Sequence, residues 1–495
     1  MICGIPWRKR GLRSLTSHQL VDSTMLFLQK RNTKMPMKHR LMRIASLAFL
    51  SGFILVLSGC GEPESVPYEI TLDVWGTFDD SDIFNQIVAD YRKINPHIKD
   101  IKYRKLAPET YKEDLLDAMA SGNGPDIFML RNTWLSSFAD KAIPAPAAMF
   151  TEKTIRDAFV DVVADDFLDE KKQVMAVPLS VDSLALYYNK DIFNAAGISA
   201  PPKTWEELVA MVPLLVKQDD FGNINQAAIA LGSGENINRS SDILLTLMMQ
   251  YGASITDARF SEQPDRQALE FYTQFSRLGL PVYTWNQRQH YSIDAFYEGT
   301  LGMMINYSYH YATIRQKNAK LNFAVAPLPQ FDGQPPVDFS NYWGFAVAKN
   351  KAQVIDQSRP ETALPTERYQ QARVHEAWQL LSYLTLPHSS GTVRLSNALS
   401  GSAADFPVAL DPAKKYLELT RKPAARRDLI RDQQGDVVLS PFANGNLIAK
   451  SWKPGNTEQV EGLLIDTISS IVRGERNIND ALSILDNRYN QVNRR

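Results

Sequence analysis

Cysteine is almost absent from this sequence of 495 residues, which contains only Cys3 and Cys60. Beyond residue 60 no internal disulfide can form, so the stability of that part of the chain must come from its hydrophobic cores. With this length and 44% hydrophobic residues, the chain can bury at least two such cores. Cysteine chemistry is therefore confined to two positions near the N-terminus.

The familiar motifs of hydrolases and nucleotide-binding enzymes are also missing. The sequence has no His-Glu-x-x-His, no Gly-x-Ser-x-Gly and no glycine-rich phosphate loop ending in Lys-Ser or Lys-Thr. Its seven histidines show no metal-ligand spacing. We therefore predict no catalytic residue, no metal and no cofactor. A carboxylate pair of the glycosidase type has no characteristic spacing, so an enzyme that acts on glycans remains an alternative.

A surplus of basic residues is lacking as well. The chain has 54 basic and 55 acidic residues, and residues 1–59 hold ten of the basic residues but only one acid, Asp22. The remaining chain has 44 basic and 54 acidic residues, a net charge near −10. This charge argues against a nucleic-acid partner or an anionic membrane surface. It also disfavours polyanionic ligands, unless a local basic pocket binds them.

Residues 1–59 differ in composition from the rest and resemble a secretory signal. Basic residues 38–43 precede an uncharged apolar run, Ile44–Leu57, as in the n-region and h-region of such a signal. The run ends in Leu57–Ser58–Gly59–Cys60, which resembles a lipobox, where cleavage precedes a cysteine that then receives lipid. We predict a signal peptide in residues 1–59, lipid attachment at Cys60 and a short tether over residues 60–67.

Two alternatives concern the same region. The apolar run could be an uncleaved membrane anchor, but it is short for a span of roughly 20 residues. Residues 1–34 fit neither a signal nor an anchor. We interpret them as a spurious extension upstream of a start at Met35 or Met37; an overlong n-region is the other interpretation.

Alternating strand and helix patterns follow the tether. Strands are predicted at 69–74, 100–106 and 126–130, with helices at 81–94 and 110–120 between them. A β-α-β-α-β order predicts right-handed crossovers and a parallel sheet. In such sheets, ligands bind outside the carboxyl ends of the strands. Four residues at these ends are therefore candidate ligand contacts, although each could instead have a turn or capping role: Trp75, Asp79, Asn132 and Trp134.

The stretch Lys171–Gly197 carries the most specific pattern in the chain. Pro178 separates two short extended segments, because proline removes a backbone donor. The stretch contains Met175–Ala176–Val177–Pro178, then Leu186–Tyr187–Tyr188–Asn189–Lys190–Asp191, Phe193 and Ala196–Gly197. It resembles the first interlobe crossover of bacterial extracellular solute-binding proteins of the carbohydrate-binding type, the group that includes maltose-binding protein.

Other segments resemble the same family. Thr204–Trp205–Glu206–Glu207 is similar to the start of a family helix, and Thr204 and Glu207 have capping-box spacing. Three further matches are Ala120–Ile127, Tyr291–Asn306 and Asn341–Lys349. The resemblance implies an α/β fold of the type II periplasmic-binding-protein class, with two lobes that each have a mainly parallel sheet flanked by helices and that are joined by crossover hinges. We predict residues 68–178 and 344–402 in the first lobe, and 179–343 and 403–495 in the second.

The resemblance also implies where a ligand binds. Asp182 lies in the first crossover, where the family often presents a carboxylate to sugar hydroxyls; a cap or hinge hydrogen bond is the alternative. The second crossover contributes Asn341, Tyr342 and Trp343, and Trp452 lies where the family often places a ligand aromatic. Tyr309 and Tyr311 follow the predicted strand 301–306 and are expected at the same cleft, unless they form an aromatic ladder within the sheet.

The implied function is the binding component of an ABC-type importer, anchored by lipid outside the cytoplasm, either in the periplasm or on the outer face of the cytoplasmic membrane. A sugar or oligosaccharide would bind between the lobes, and the closed form would dock on a membrane permease. Aromatic rings and uncharged polar groups at strand ends suit sugars, since rings stack on their C–H faces. Two other functions stay open: an extracytoplasmic glycan-acting enzyme, and a lipoprotein receptor that feeds a sensor.

Overall fold

The computed structural model describes residues 68–254, 260, 263–349, 351–353, 364–388 and 390–493. The predicted signal peptide, Cys60 and the predicted tether lie outside these described residues. The strands are β1 (Ile70–Gly76), β2 (Ile98–Lys105), β3 (Ile127–Arg131), β4 (Ala142–Ile143), β5 (Ala185–Asn189), β6 (Lys217–Gln218), β7 (Ile224–Ile229), β8 (Leu301–Asn306), β9 (Phe323–Pro327), β10 (Asp338–Phe339), β11 (Trp343–Ala348), β12 (Thr392–Ser396), β13 (Ala403–Pro407) and β14 (Ala449–Lys450).

Helices connect these strands and cover the sheets. They are α1 (Ser81–Ile94), α2 (Tyr111–Ala120), α3 (Leu135–Phe138), α4 (Glu152–Ala158), α5 (Asp161–Phe167), α6 (Lys190–Ala195), α7 (Trp205–Leu215), α8 (Ser240–Gln250), α9 (Gln263–Thr273), α10 (Ser292–Glu298), α11 (His310–Lys317), α12 (Thr366–Thr385), α13 (Pro412–Thr420), α14 (Arg427–Gln433), α15 (Ser440–Asn446), α16 (Thr457–Val472) and α17 (Ile478–Asn493). Among these described helices, none combines the length and apolar character needed to cross a bilayer.

Local sequence explains several helix boundaries. The buried residues of α1 recur at helical spacing and face the sheet; they are Phe84, Ile87, Val88 and Tyr91. The helix stops before the Asn95–Pro96 pair. The Thr204 side chain accepts a hydrogen bond from the backbone N–H of Glu207 at 3.2 Å, and Glu207 accepts one in return from the backbone N–H of Lys203. The predicted capping interaction at the start of α7 is therefore present.

Two five-stranded sheets form the lobes. The first has the order β2–β1–β3–β11–β4, and the second has the order β6–β7–β8–β5–β9. Parallel pairing joins β1 to both β2 and β3, and β7 to β8. In contrast, β11 runs antiparallel to β3, and β5 runs antiparallel to β8 and β9.

Most strands in each sheet run parallel, as expected, but both sheets are mixed: β11 opposes the other four strands of the first sheet, and β5 and β6 oppose the other three strands of the second. The reason lies in the crossovers. The strands β5 and β11 each begin where the chain enters a new lobe, at the edge where the parallel strands of that lobe end. They must consequently run in the opposite direction to those strands.

Each lobe has its own hydrophobic core, and the third change of core, back into the second lobe, comes later in the chain than predicted. Side chains of α13 and α14, including Tyr416, Leu417 and Ile430, belong to the first core, and α13 packs against α1. Phe442, Trp452 and Leu464 belong to the second core, although Ala443 and Ala449 still belong to the first. The sequence placed residues 403–495 in the second lobe, whereas buried side chains of residues 412–430 pack into the first core.

The crossovers run side by side between the lobes. Isolated bridges join Val177 to Phe345, Ser180 to Ala424 and Ser183 to Ser340. A third crossing strand, β14, pairs in parallel with β10. The hinge is thus built from three chain segments that hold one another by backbone hydrogen bonds.

Candidate ligand-binding cleft

The first lobe presents an aromatic rim at the carboxyl ends of β1 and β3. Phe78 follows β1 and is 46% exposed, and its ring meets the Trp343 ring at 5.4 Å in an edge-to-face arrangement. Trp343 lies opposite Arg131 in the β3–β11 register and also contacts Trp134, with ring centroids 5.0 Å apart. The rim therefore offers one well-exposed ring, Phe78, supported by partly buried ones.

The other predicted rim tryptophans are less accessible. Trp134 is 6% exposed and donates its indole N–H to Glu458 of the second lobe at 3.1 Å. Trp75 is half-buried, and the guanidinium of Arg104 lies 5.0 Å from its ring centroid. Both residues lie near the carboxyl ends of β1 and β3, and their rings are engaged by protein groups; a ligand contact by either stays a prediction.

Three residues predicted as ligand contacts are buried and satisfied inside the protein. Asp79 accepts hydrogen bonds from Lys422 at 2.6 Å and from Tyr416 at 2.8 Å. Asn132 and Tyr342 both donate to the carboxylate of Asp166, at 3.1 and 2.9 Å. Their side chains are therefore withdrawn from the cleft, and the structure gives them supporting contacts instead.

The second lobe presents a polar wall at the carboxyl ends of β7 and β8. Tyr309 follows β8 and is 47% exposed. Asp182 accepts hydrogen bonds from the backbone N–H and the hydroxyl of Ser308, the latter at 2.8 Å. The Asn341 N–H donates to the Asp182 carbonyl at 3.0 Å. Asp182 thus makes the hinge hydrogen bond that the sequence left as an alternative, and it fixes the loop that presents Tyr309.

Trp452 and Tyr311 pack mainly against protein. The Trp452 ring stacks on Tyr489 at 5.2 Å and meets Phe260 at 5.4 Å. The Tyr311 ring contacts Phe323, and Arg315 lies 5.5 Å from its centroid. The segment 307–311 was expected to carry alternating tyrosines at a strand end, but α11 begins at His310. Only Tyr309 is strongly exposed there.

Polar contacts link the two walls across the cleft. Arg131 of the first lobe forms a 2.8 Å salt bridge with Glu461 on α16 of the second lobe. Lys112 similarly contacts Glu458 at 3.0 Å. A small depression lies beside these pairs and is lined from both lobes, with Arg131, Asn341 and Trp452 among its walls.

Comparison with known proteins identifies this arrangement. The model of the family described as "Bacterial extracellular solute-binding protein" matches residues 75–389, more than half of the chain. The chain belongs to the bacterial extracellular solute-binding protein family. The resemblance noted in the crossovers and in the capped helix at Thr204 is thereby confirmed.

Relatives and solved structures within this family can be compared with the chain. The maltotriose-binding protein of Pyrococcus abyssi is 24% identical over 270 residues, 53% of this chain and 52% of that protein. The sn-glycerol-3-phosphate-binding periplasmic protein UgpB of Yersinia pestis is 28% identical over 267 residues, 50% of this chain and 56% of that protein. The chain thus spans about half the length of the curated relatives it matches.

A solved structure confirms the two-lobed fold. The sugar-binding protein MalE of Xanthomonas citri superposes with a TM-score of 0.65 at 19% identity, covering 86% of this chain and 97% of that one. At this identity the likeness concerns the fold alone. The α/β two-lobed class predicted from the sequence is therefore confirmed.

Several important residues of this solute-binding protein were missed by the sequence analysis. Phe78 was passed over for its neighbour Asp79, although a strand-end aromatic was a usable signal. Glu461 gave no signal, because its partner Arg131 is 330 residues away. Arg239, which has a φ of 62° and donates to the Tyr309 hydroxyl, also gave none, since both features exist only in the folded chain.

A buried carboxylate, Asp166, holds the hinge of this solute-binding protein. It is 1% exposed and accepts hydrogen bonds from Asn132, Tyr342 and the hydroxyl of Ser451. Burial raises the pKa of Asp166 from its ordinary value of 3.8 to about 6. The Asp166 carboxyl group therefore binds its proton more tightly in the folded protein than in the unfolded chain. Its protonation stabilises the folded protein at low pH, and this stabilisation is lost as the pH rises through about 6.

Replacing Asp166 with asparagine is expected to remove this pH dependence. The free energy of unfolding of the wild type, minus that of Asp166→Asn, should decrease by roughly 3 kcal/mol between about pH 4 and pH 7. Urea unfolding at a series of pH values measures this difference. Asp165→Asn, which makes the same change at an exposed neighbour, is the control for the substitution itself. A difference for Asp166→Asn that is constant with pH would show that this carboxyl group does not titrate as described.

Proposed function

We propose that this chain is the substrate-binding component of an ABC-type importer and captures a sugar or oligosaccharide between its two lobes. The observation that carries the proposal is the pairing of the two walls. The exposed Phe78 ring contacts Trp343 at the carboxyl ends of the first-lobe strands, and the exposed Tyr309 follows the carboxyl end of the second-lobe strand β8. A flat apolar ring opposite hydrogen-bonding groups is the arrangement that suits sugars, whose C–H faces stack while their hydroxyls bond.

The family and the relatives support this class of solute. The relatives include a maltotriose-binding protein and a sn-glycerol-3-phosphate-binding protein, and the superposed structure is a sugar-binding protein. Bound ligand would bridge the lobes and stabilise the closed form, provided that it binds this form more tightly than the open one. The closed protein would then dock on a membrane permease outside the cytoplasm.

A thermal-shift screen against mono- and oligosaccharides tests the proposal. A sugar present at about 100 times its dissociation constant should stabilise the protein by roughly 2.7 kcal/mol. Chromatography of the same sugar after long incubation should return it unchanged. Cleavage that is lost when one cleft carboxylate is mutated would support the glycan-acting enzyme instead. No stabilisation by any sugar would contradict the proposal.

Lipid attachment at Cys60 is proposed to hold the protein at a membrane surface. The support is the sequence Leu57–Ser58–Gly59–Cys60 after an apolar run. Because one acyl chain binds membranes only marginally, stable anchoring needs the several chains of a bacterial lipoprotein. Cys60→Ser should abolish labelling by radioactive palmitate and leave unprocessed or soluble protein. Equal palmitate labelling of the wild type and the variant would contradict the anchor.

A further inference from the structure

Arg239 lies at the cleft side of the second lobe in an unusual conformation. It immediately precedes α8 and has a φ of 62°, in the left-handed region that non-glycine residues rarely adopt. It follows the carboxyl end of β7, just as Tyr309 follows the carboxyl end of the neighbouring strand β8. Its Nη2 atom donates to the Tyr309 hydroxyl at 3.3 Å. The guanidinium and the exposed ring of Tyr309 therefore share one part of the second-lobe wall.

The charge of Arg239 has no direct carboxylate partner. In the described part of the chain Arg239 forms no salt bridge, and its buried Nε atom has no hydrogen-bond partner. The guanidinium lies 5.7 Å from the centroid of the Tyr307 ring. Because burying an unpaired charge is costly, a guanidinium held in this way is a candidate for ligand recognition.

Two acidic residues contribute to the field at Arg239, and both are engaged by other groups. Asp242 accepts from the Tyr307 hydroxyl at 2.8 Å and from the Ser241 hydroxyl at 3.2 Å. It also lies in the first turn of α8, where the helix dipole stabilises a negative charge. Glu461 is paired with Arg131 at 2.8 Å. These carboxylates moderate the field at Arg239, but neither forms a salt bridge with it among the described residues.

His310 adds a second unsatisfied group beside Arg239. It is 8% exposed, and neither ring nitrogen has a hydrogen-bond partner among the described residues. Its ring lies 4.1 Å from the ring of Tyr309. Burial and the neighbouring charge of Arg239 lower the pKa of His310 to about 3, so the imidazole is neutral at pH 7 and offers one N–H donor.

We propose that Arg239, Tyr309 and His310 form a recess that binds an anionic substituent of the ligand, either a sugar carboxylate or a sugar phosphate. This inference rests on the proposed function and specifies the chemistry of its ligand. Arginine binds carboxylate and phosphate oxygens with two parallel N–H donors, and the tyrosine hydroxyl and the imidazole N–H supply further donors.

Two matched pairs of probes test the recess by titration calorimetry. Glucose 6-phosphate is compared with glucose, and digalacturonate with its neutral counterpart galactobiose. We expect one of the two acidic probes to bind roughly tenfold or more tightly than its neutral counterpart. Tighter binding of glucose 6-phosphate than of glucose would identify the substituent as a phosphate. Tighter binding of digalacturonate than of galactobiose would identify it as a carboxylate. Arg239→Gln should abolish the preference, and Arg239→Lys should retain part of it.

Arg315→Gln is the matched control, because Arg315 lies over the Tyr311 and Phe323 rings on the same lobe. It should leave the preference unchanged. Melting curves of all variants identify any that fail to fold, and the Arg239→Lys variant keeps the test decisive if Arg239→Gln is one of them. The inference would be overturned if acidic and neutral probes bound with equal affinity, or if the Arg239 variants lost affinity for both equally. Either result would leave the proposed function intact. Failure of every probe and of the wider sugar screen would overturn the proposed function itself.

Discussion

Replacing Phe78 with alanine is expected to weaken ligand binding strongly while leaving the stability of the protein almost unchanged. The Phe78 ring is 46% exposed at the rim of the first lobe, so its removal leaves only a small cavity. Stacking on a sugar face should contribute roughly 1–3 kcal/mol, taking the magnitude measured for a base on an aromatic ring. Calorimetry with a sugar from the screen should therefore show a loss of about 5- to 150-fold in affinity.

A second phenylalanine provides a matched control for this result. Phe221 is 90% exposed in a turn of the second lobe, so Phe221→Ala removes the same group at a surface outside the cleft. Trp343→Ala should also weaken binding, but it removes contacts to Phe78 and Trp134 as well, so unfolding curves must be measured alongside. Equal affinities for Phe78→Ala and Phe221→Ala would place the ligand elsewhere in the cleft.

Breaking the salt bridge between Arg131 and Glu461 is expected to open the lobes. The pair joins the two walls at 2.8 Å, and both side chains are largely shielded from solvent, with exposures of 12% and 27%. A hydrogen bond between charged groups contributes about 1.5–3 kcal/mol, so Glu461→Ala should lower the ratio of closed to open protein by about 10- to 150-fold. Apparent ligand affinity should fall by up to the same factor, because the proposed function requires the closed form to bind the ligand more tightly than the open one.

Asp466 on the same helix serves as the control for this variant, since its side chain is 71% exposed and lies 4.0 Å from Arg488. Asp466→Ala should leave closure and affinity unchanged. Small-angle scattering of the unliganded proteins measures the difference, with a larger radius of gyration expected for Glu461→Ala. Identical scattering curves for wild type and Glu461→Ala would show that the salt bridge does not control closure.

The order of strands and helices in the first lobe was predictable because it depends on local hydrophobic spacing. The helix Ser81–Ile94 was predicted with its observed boundaries, and the first strands were within two residues of theirs. The crossovers were identifiable because Pro178 and the tyrosine run after it make a specific pattern. These features are all carried by short stretches of sequence.

Which side chain faces the cleft was not predictable in the same way. Tyr342 and Trp343 are adjacent aromatics, and adjacent residues of an extended segment point to opposite sides. Only the buried Asp166 shows that Tyr342 points inward, which leaves Trp343 at the rim. Phe78 and Asp79 present the same problem, since Lys422, far along the chain, determines that Asp79 is buried.

Local sequence patterns also could not predict to which lobe the C-terminal region belongs. The apolar face of Pro412–Thr420 could cover either core, because an amphipathic pattern indicates that one side of a helix is buried but not against which core. Its contact with Ser81–Ile94 settles the assignment to the first lobe. Long-range pairs such as Arg131 and Glu461 have no sequence spacing that could reveal them.

The distance between the two lobes, measured with and without ligand, tests the central claim most directly. The chain after Cys60 contains no cysteine, so spin labels can be placed at Glu109→Cys in the first lobe and Gln459→Cys in the second, both at exposed positions near the cleft. A saturating sugar from the screen should shift the distance distribution to a single short component, and Phe78→Ala should require a higher sugar concentration for the same shift. A distribution that is unchanged by a sugar known to bind would contradict capture of the ligand between the lobes.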